Sequence, residues 1–283
     1  MRRMRKYIIG CLSCWGMLLV ACTESEVLPL PDGSPLTIVA GIEGGSSKEA
    51  VTRATAENDY DRGMFRTNDR IRITRTRSGS TSTTVDYRFD GAKWEPFVAG
   101  NEILFESGAT YQAVYPLDYN GVRPDQSSAE NYRLSNRLET PEAVKASNTG
   151  VLSFKNPNWF IHKNVKLTLK FEGKIALSAT SDFSVQGSGL HSGGSDEENV
   201  YPFRPDDTTH DWHVIIAPKA AATDIKVTVT TSNGVSYKCS VSCGRVAGKN
   251  YIYTLTIQND VLVPVGETIK PWENVSVFDG ELK

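Results

Sequence analysis

An all-β chain built from two sandwich domains is the fold this sequence predicts, and three observations predict it. Apolar and polar residues alternate at a period of two over most of the chain. Asp-Gly and Asn-Gly pairs fall between alternating runs, where tight hairpins need residues that accept a positive φ. A helical period is nearly absent, with a short helix expected only around residues 141–147.

The strand signal begins at "LTIVAGI" (36–42), apolar throughout and followed by glycines. "DRIRITRT" places Ile71 and Ile73 on one face and Arg70 and Arg72 on the other. "TVDYRFDGAKWEPF" sets Val85, Tyr87 and Phe89 on one face and turns at Asp90-Gly91. "ATYQAVYP" adds Tyr111, Ala113 and Tyr115. In the second half, "NVKLTLKF" sets Val165, Leu167, Leu169 and Phe171 against Lys166, Thr168 and Lys170. "DWHVIIAP" offers Trp212, Val214 and Ile216, and "DIKVTVTTSNGVSYKCSVS" reads as a hairpin around Asn233-Gly234. "NYIYTLTIQ" alternates Tyr251, Tyr253, Leu255 and Ile257 with polar or smaller neighbours. Such strands are half-buried, one face on a core and one in water. The segment 117–150 is poorest in strand signal. The expected division is therefore an N-terminal sandwich over 36–150 and a C-terminal one over 151–283. No period of 20 to 50 residues repeats, which argues against a solenoid or propeller.

The first residues read as an export signal. Arg2, Arg3, Arg5 and Lys6 precede the uncharged stretch Ile8 to Ala21, which is 14 residues long. A membrane-spanning helix needs about 20, so 1–21 fits a cleaved signal peptide. Leu19, Val20 and Ala21 before Cys22 resemble the bacterial lipobox, in which the cysteine thiol carries the lipid. Residues 22–35, with Pro29, Pro31, Gly33 and Pro35, read as a tether. Thr23 rather than an acidic residue follows Cys22, which favours the outer membrane, and Glu24 and Glu26 resemble a surface-export signal.

Removing the four basic residues of the leader from 31 leaves 27 against 33 acidic residues, a mature charge of −6. That balance argues against nucleic acid as a partner. Cys239 and Cys243 lie four apart on an expected strand, about 13 Å at the usual rise. A disulfide needs Cα atoms within about 7 Å, so both are expected as unpaired, buried thiols.

Catalytic patterns are scarce. On a strand, His210 and His213 would face opposite sides, leaving a loop site with Asp206 and Asp207 as the alternative. His162 reads as a hydrogen-bonded residue at a strand entry. "GSGLHSGGSDEEN" (187–199) has glycines but no following helix, and its acids would repel phosphate, so it reads as a flexible exposed loop. No G-x-S-x-G or H-E-x-x-H pattern occurs, and no C-x-x-C pattern remains beyond the leader. No cofactor, metal or enzymatic activity is expected. Asn274-Val275-Ser276 and Asp207-Thr208-Thr209 fit short glycosylation patterns.

Several stretches, in order, carry a resemblance. "VTRATAEN" (51–58) precedes a strand, followed by "FRTNDRIRI" (65–73), "ATYQAVYP" (109–116), "FIHKNVKLTL" (160–169), "VAGKNYIYTLTI" (246–257) and "ETIKPWEN" (267–274). With the lipobox, this set resembles the fimbrillin-like lipoproteins of anaerobic Gram-negative bacteria, which include type V pilus subunits. Val114 stands where an aromatic residue is common, and Val165 where a small one is. The resemblance implies two β-sandwiches of transthyretin-like topology and a structural or adhesive role in a surface pilus. It implies cleavage between Arg53 and Ala54, release of the first strand, and its replacement by a strand of a neighbouring subunit. Val261, Val263, Val265 and Trp272 near the chain end are the candidate donor side chains. The implied partners are other pilus subunits, the membrane through lipid on Cys22, and a host or bacterial surface ligand. The implied location is the outer-membrane surface, or the pilus once processed. The competing reading is a surface-anchored lipoprotein that never polymerises and binds glycan or host protein.

Overall fold

The computed structural model describes residues 30–44, 60–172, 182–205, 211–231 and 233–272. The lipobox with Cys22, Arg53, Ala54, His210, residues 206–209 and Asn274 lie outside the described residues.

The first domain contains β1 (Thr37–Ala40), β2 (Arg70–Thr76), β3 (Thr83–Phe89), β4 (Trp94–Pro96) and β5 (Thr110–Tyr115). A short helix α1 (Ala129–Leu134), β6 (Leu138–Glu139), β7 (Val151–Phe154) and β8 (Ile161–His162) complete it. Six strands form one sheet in the order β4-β3-β2-β5-β6-β8, and β1 pairs in parallel with β7. The predicted alternation holds: Ile71, Ile73, Val85, Tyr87, Tyr111, Ala113 and Tyr115 fill the core. The Asp90-Gly91 turn is closed by the Asp90 carboxylate, which accepts from the Ala92 and Lys93 amides at 2.7 Å. Gly91 takes a φ of 108° there, open to a residue without a Cβ.

The second domain contains β9 (Val165–Phe171), β10 (Asp182–Ser188), β11 (Glu197–Val200) and β12 (Asp211–Ile216). It continues through β13 (Thr223–Thr230), β14 (Ser236–Cys243), β15 (Lys249–Gln258) and β16 (Val261–Pro271). Sheets β11-β10-β13-β14 and β12-β9-β15-β16 stack face to face. Leu167, Leu169, Val185, Val214, Ile216, Val227, Val229 and Leu255 form the dry layer between them. Cys243 is buried, Cys239 is half-buried, and neither is bonded.

Four expectations need correction. The helix lies at 129–134, with Ser128 accepting from the Asn131 amide, and residues 141–147 form turns and a bridge. Residues 151–162 belong with the first core, because β7 pairs with β1, β8 pairs with β6, and Leu152, Phe154 and Phe160 pack among Ile38 and Ile73. The division thus falls after residue 162 rather than at 150. Lys166 and Thr168, expected in water, are both 4% exposed, because the first domain covers that face of β9. Residues 187–199 are pinned rather than loose. Arg245, fully buried, donates from Nη1 to Ser188 O at 2.6 Å and from Nε to Ala217 O at 3.0 Å. Gly189 sits there at φ 57°, where a Cβ would lie 2.1 Å from Gly194 O.

Candidate functional site

The chain's first described strand is short and deeply set. Leu36, Ile38 and Ile42 are each no more than 6% exposed. β1 runs parallel to β7, with Thr37 opposite Val151 and Ala40 opposite Phe154. Beyond it, the Gly41 amide donates to Phe154 O at 3.0 Å and the Glu43 amide to Phe160 O at 2.9 Å. On the other side, the Phe105 amide donates to Ser34 O at 2.8 Å and the Gly33 amide to Phe105 O at 2.9 Å. Gly41 has no alternative here, since a Cβ would lie 2.3 Å from the Trp159 ring. Residues 33–43, with β1 at their centre, therefore fill a trench that would otherwise expose backbone groups on both walls and an apolar floor.

Residues 45–59, which contain Arg53 and Ala54, connect this strand to a second fixed point. Tyr60 meets Phe203 edge-on, with ring centroids 4.8 Å apart. The Asp61 carboxylate accepts from Tyr132 Oη at 2.6 Å and forms an ion pair with Lys166. Arg62 donates to Arg133 O at 3.0 Å and to the Tyr115 hydroxyl. Phe65 packs edge-on against Trp94, Tyr115 and Phe160. Burial pushes the Asp61 carboxyl up. The Lys166 ammonium, His213 and the hydrogen bonds from Lys166 and Tyr132 outweigh that and hold it at about 2. The segment after the candidate processing site is thus stapled to both domains.

The candidate donor residues are divided. Val261, Val263 and Val265 lie on β16, which pairs with β15 from Val261 to Pro271. Val261 is 56% exposed, Val265 49% and Ile269 54%. The residue of this strand that enters the core is Leu262. Trp272 is separate from the valines. It is buried at the seam between the domains, stacked on His162 with centroids 4.1 Å apart, and its amide donates to Gly248 O at 2.7 Å. His162 Nδ1 meets Asn136 Oδ1 at 2.9 Å, and burial pulls its pKa down to about 3. Burial and then the Lys166 charge do the same to His213, also to about 3.

Sequence reading missed the seam itself. Val122, Tyr132, Phe203, Ile215 and Trp272 form its apolar part. Gln126, fully buried, behaves like one rung of a strand. Its side-chain amide donates to Ile215 O at 2.7 Å and its carbonyl accepts from the Ile215 amide at 2.8 Å. No local signal marks it, since Lys166 and Thr168 alternate with apolar residues as on any half-buried strand. Among the described residues, no group of three or more His, Cys, Asp or Glu side chains gathers to hold a metal.

Among the described residues, tandem sandwiches, a short trench-filling first strand and a long exposed last one define a β-sandwich protein whose notable features are strand edges. The fimbrillin-like family model matches residues 52–272, and the chain belongs to that family. Membership places it among structural and adhesive pilus proteins rather than enzymes. A candidate cell adhesion protein from Bacteroides ovatus is similar in structure, with a TM-score of 0.60, 17% identity and coverage of 85% of this chain and 98% of that one. A candidate cell adhesion protein from Bacteroides uniformis gives a TM-score of 0.59 at 16% identity, covering 85% and 98%. The C-terminally truncated tip fimbrial protein Mfa3 from Porphyromonas gingivalis gives 0.52 at 11% identity, covering 86% and 100%. Comparison with curated proteins returned no match.

Proposed function

We propose that this chain is a structural or adhesive component of a cell-surface pilus, exported as a lipoprotein on Cys22 and assembled by strand exchange after cleavage between Arg53 and Ala54. The observation that carries this reading is β1. It is four residues long, sets Ile38 in the core between the buried Leu36 and Ile42, and is joined to the anchored Tyr60 through the residues that contain Arg53. Cleavage there separates the trench-filling strand from a body held together by the Asp61 staple. The vacated trench then offers unpaired backbone and apolar surface, which a neighbour's strand satisfies. The chain end supports the donor role. Val261, Val265 and Ile269 stand exposed, on a strand whose register against β15 shifts at Val265, between Pro264 and Gly266. Pro264 and Pro271 limit insertion to positions where no sheet hydrogen bond is needed. The partners in this reading are other pilus subunits. The location is the outer-membrane surface before processing and the pilus after it.

The second reading is a surface-anchored lipoprotein that stays monomeric and binds glycan or host protein. The pairing of β16 along β15 favours it, as does burial of Leu262 and Trp272, because these hold the donor in its own domain.

Treating the purified precursor with trypsin under native conditions separates the two. Pilus assembly requires cleavage at Arg53 followed by ladders of detergent-resistant oligomers, and Arg53→Ala should abolish them. Deleting residues 260–283 would also strip Leu262 and Trp272 from the fold, so Arg53→Ala is the cleaner control. A cleanly cut product that stays monomeric at high concentration would rule out the pilus reading and leave the anchored binder.

A further inference from the structure

The outer face of the six-stranded sheet carries a charge pattern that folding alone does not explain. Arg70 and Arg88 stand directly opposite each other on β2 and β3, and like charges so placed repel. On the next rung, the Asp86 carboxylate accepts from Arg72 Nε at 2.8 Å and from Arg72 Nη2 at 3.1 Å. It also accepts from Arg70 Nη2 at 3.3 Å. One carboxylate is therefore shared by two guanidiniums. Arg88 faces Glu95 across β3 and β4, but Glu95 is already paired to Lys93 at 2.7 Å. Arg70, Arg72, Arg88 and Lys93 thus outnumber Asp86 and Glu95 on a chain whose formal net charge is −2.

An apolar shelf adjoins this surplus. Phe97 is 47% exposed and Val98 61%. The Phe97 amide donates to Asp86 O at 2.8 Å, which fixes the shelf against β3. The Arg70 guanidinium carbon lies 3.6 Å from the centre of the Phe97 ring. The exposed remainder of that ring borders a depression of about 200 Å³ lined by Arg72, Thr84, Asp86, Phe97, Val98 and Asn101. An exposed aromatic ring beside hydroxyl, amide and guanidinium groups suits a pyranose, which stacks its C–H face on the ring and turns its hydroxyls to the rim. Surplus guanidinium charge adds a demand for a planar anion, and a carboxylate matches the guanidinium fork better than a point charge does.

We propose that this depression binds an acidic saccharide, a carboxylate-bearing sugar whose ring lies on Phe97 and whose carboxylate is taken by the arginines around Asp86. The inference deepens the surface-protein reading by naming a ligand class. It is measured on the unprocessed, unpolymerised chain, so its failure is separable from failure of strand exchange.

The experiment is titration calorimetry of the full chain without its leader. The probes are trigalacturonate and sialyllactose, the former's methyl ester serving as an uncharged control of the same ring structure. Binding of either acidic probe is expected, with the ester weaker by about tenfold or more, the equivalent of one charge-assisted contact. Phe97→Ala and Arg72→Gln should each weaken binding by at least about fivefold. Both side chains are exposed, so unchanged melting temperatures should show that the fold is intact. Added salt should weaken binding of the acidic probe. No heat from either acidic probe, equal affinity for the ester, or affinity unchanged in both variants would overturn the proposal.

Discussion

β1 and β16 are opposite solutions to ending a sheet. β1 has four residues, and Ile38 among them is buried, with the buried Leu36 and Ile42 just outside it on either side. β16 has eleven residues, and only Leu262 among them is buried. The short strand makes fewer ladder bonds, yet together with its flanking Leu36 and Ile42 it sets three side chains in the core. The long strand is held mainly by backbone pairing, and its Val261 and Val265 stand in water. Hydrogen bonds to a neighbouring strand largely replace hydrogen bonds to water and so stabilise by only about 1 kcal/mol each. Apolar burial contributes more. A trench that prefers apolar filling and an edge strand with spare apolar side chains are complementary surfaces, which is the thermodynamic condition that strand exchange requires.

The largest expected difference follows directly. Ile38→Ala should destabilise the first domain by about 2–4 kcal/mol, the usual range for a buried large-to-small change. Val265→Ala should stay within about 0.5 kcal/mol of the parent. Urea denaturation monitored by tryptophan fluorescence reads both. Comparable losses at the two sites would show that β16 is as much a core strand as β1.

The seam supplies the next contrast. Lys166→Met leaves the Asp61 carboxylate with Tyr132 but without its cation. Removing one partner of a fully buried pair costs about 3–5 kcal/mol. The Asp61 side chain is 23% exposed, so about 2 kcal/mol is the appropriate expectation. Asp61→Asn in the Lys166→Met background should restore part of the loss, because no unpaired charge remains. Full additivity of the two changes would mean that the pair is not coupled.

These sites also divide what the sequence discloses from what it hides. Ile71, Tyr87, Leu167 and Val227 are legible because each strand has one face on its own core and one in water. Lys166 and Thr168 are not, because their face is covered by a different domain, through Tyr60, Asp61 and α1. Gln126 and Arg245 escape for a related reason. Both satisfy backbone groups distant in sequence, Ile215 in one case and Ser188 and Ala217 in the other. β7 and β8 fall on the wrong side of the expected boundary because their partners are β1 and β6, and such distant pairing leaves no local mark. The valines of β16 mislead by a single position. Asn259 and Asp260 both adopt positive φ, at 51° and 61°. That tight turn sets Leu262 opposite Ile257, and it is Leu262 that turns inward. The resemblance to fimbrillins identifies the family. The Asp61 staple and the Arg70–Phe97 shelf come from the three-dimensional arrangement.

Acid tests the comparison from the seam, where one of its two targets adjoins the end of β16. His162 stacks on Trp272 just beyond Pro271, and His213 lies beside Tyr132, with ring centroids 6.3 Å apart. Both imidazoles are held neutral, with pKa values lowered from 6.5 to about 3. A lowered folded-state value means that the unfolded chain takes up the proton first. The stability these groups preserve is full above pH 6.5 and falls as the pH drops toward 3. The slope approaches about 1.4 kcal/mol per pH unit for each imidazole. Asp61, lowered from 3.8 to about 2, acts in the same direction but only below its ordinary value. Between neutrality and pH 5, the histidines should therefore dominate. Amide exchange near Ile269 and Lys270 should accelerate over that interval beyond the change expected for intrinsic exchange, while exchange at Ile38 and Val39 should follow the intrinsic rate. His213→Phe should roughly halve the pH slope of the melting temperature, since one of the two neutral imidazoles is gone. A slope untouched by that change, or β1 opening before β16, would place the acid-sensitive contact away from the seam.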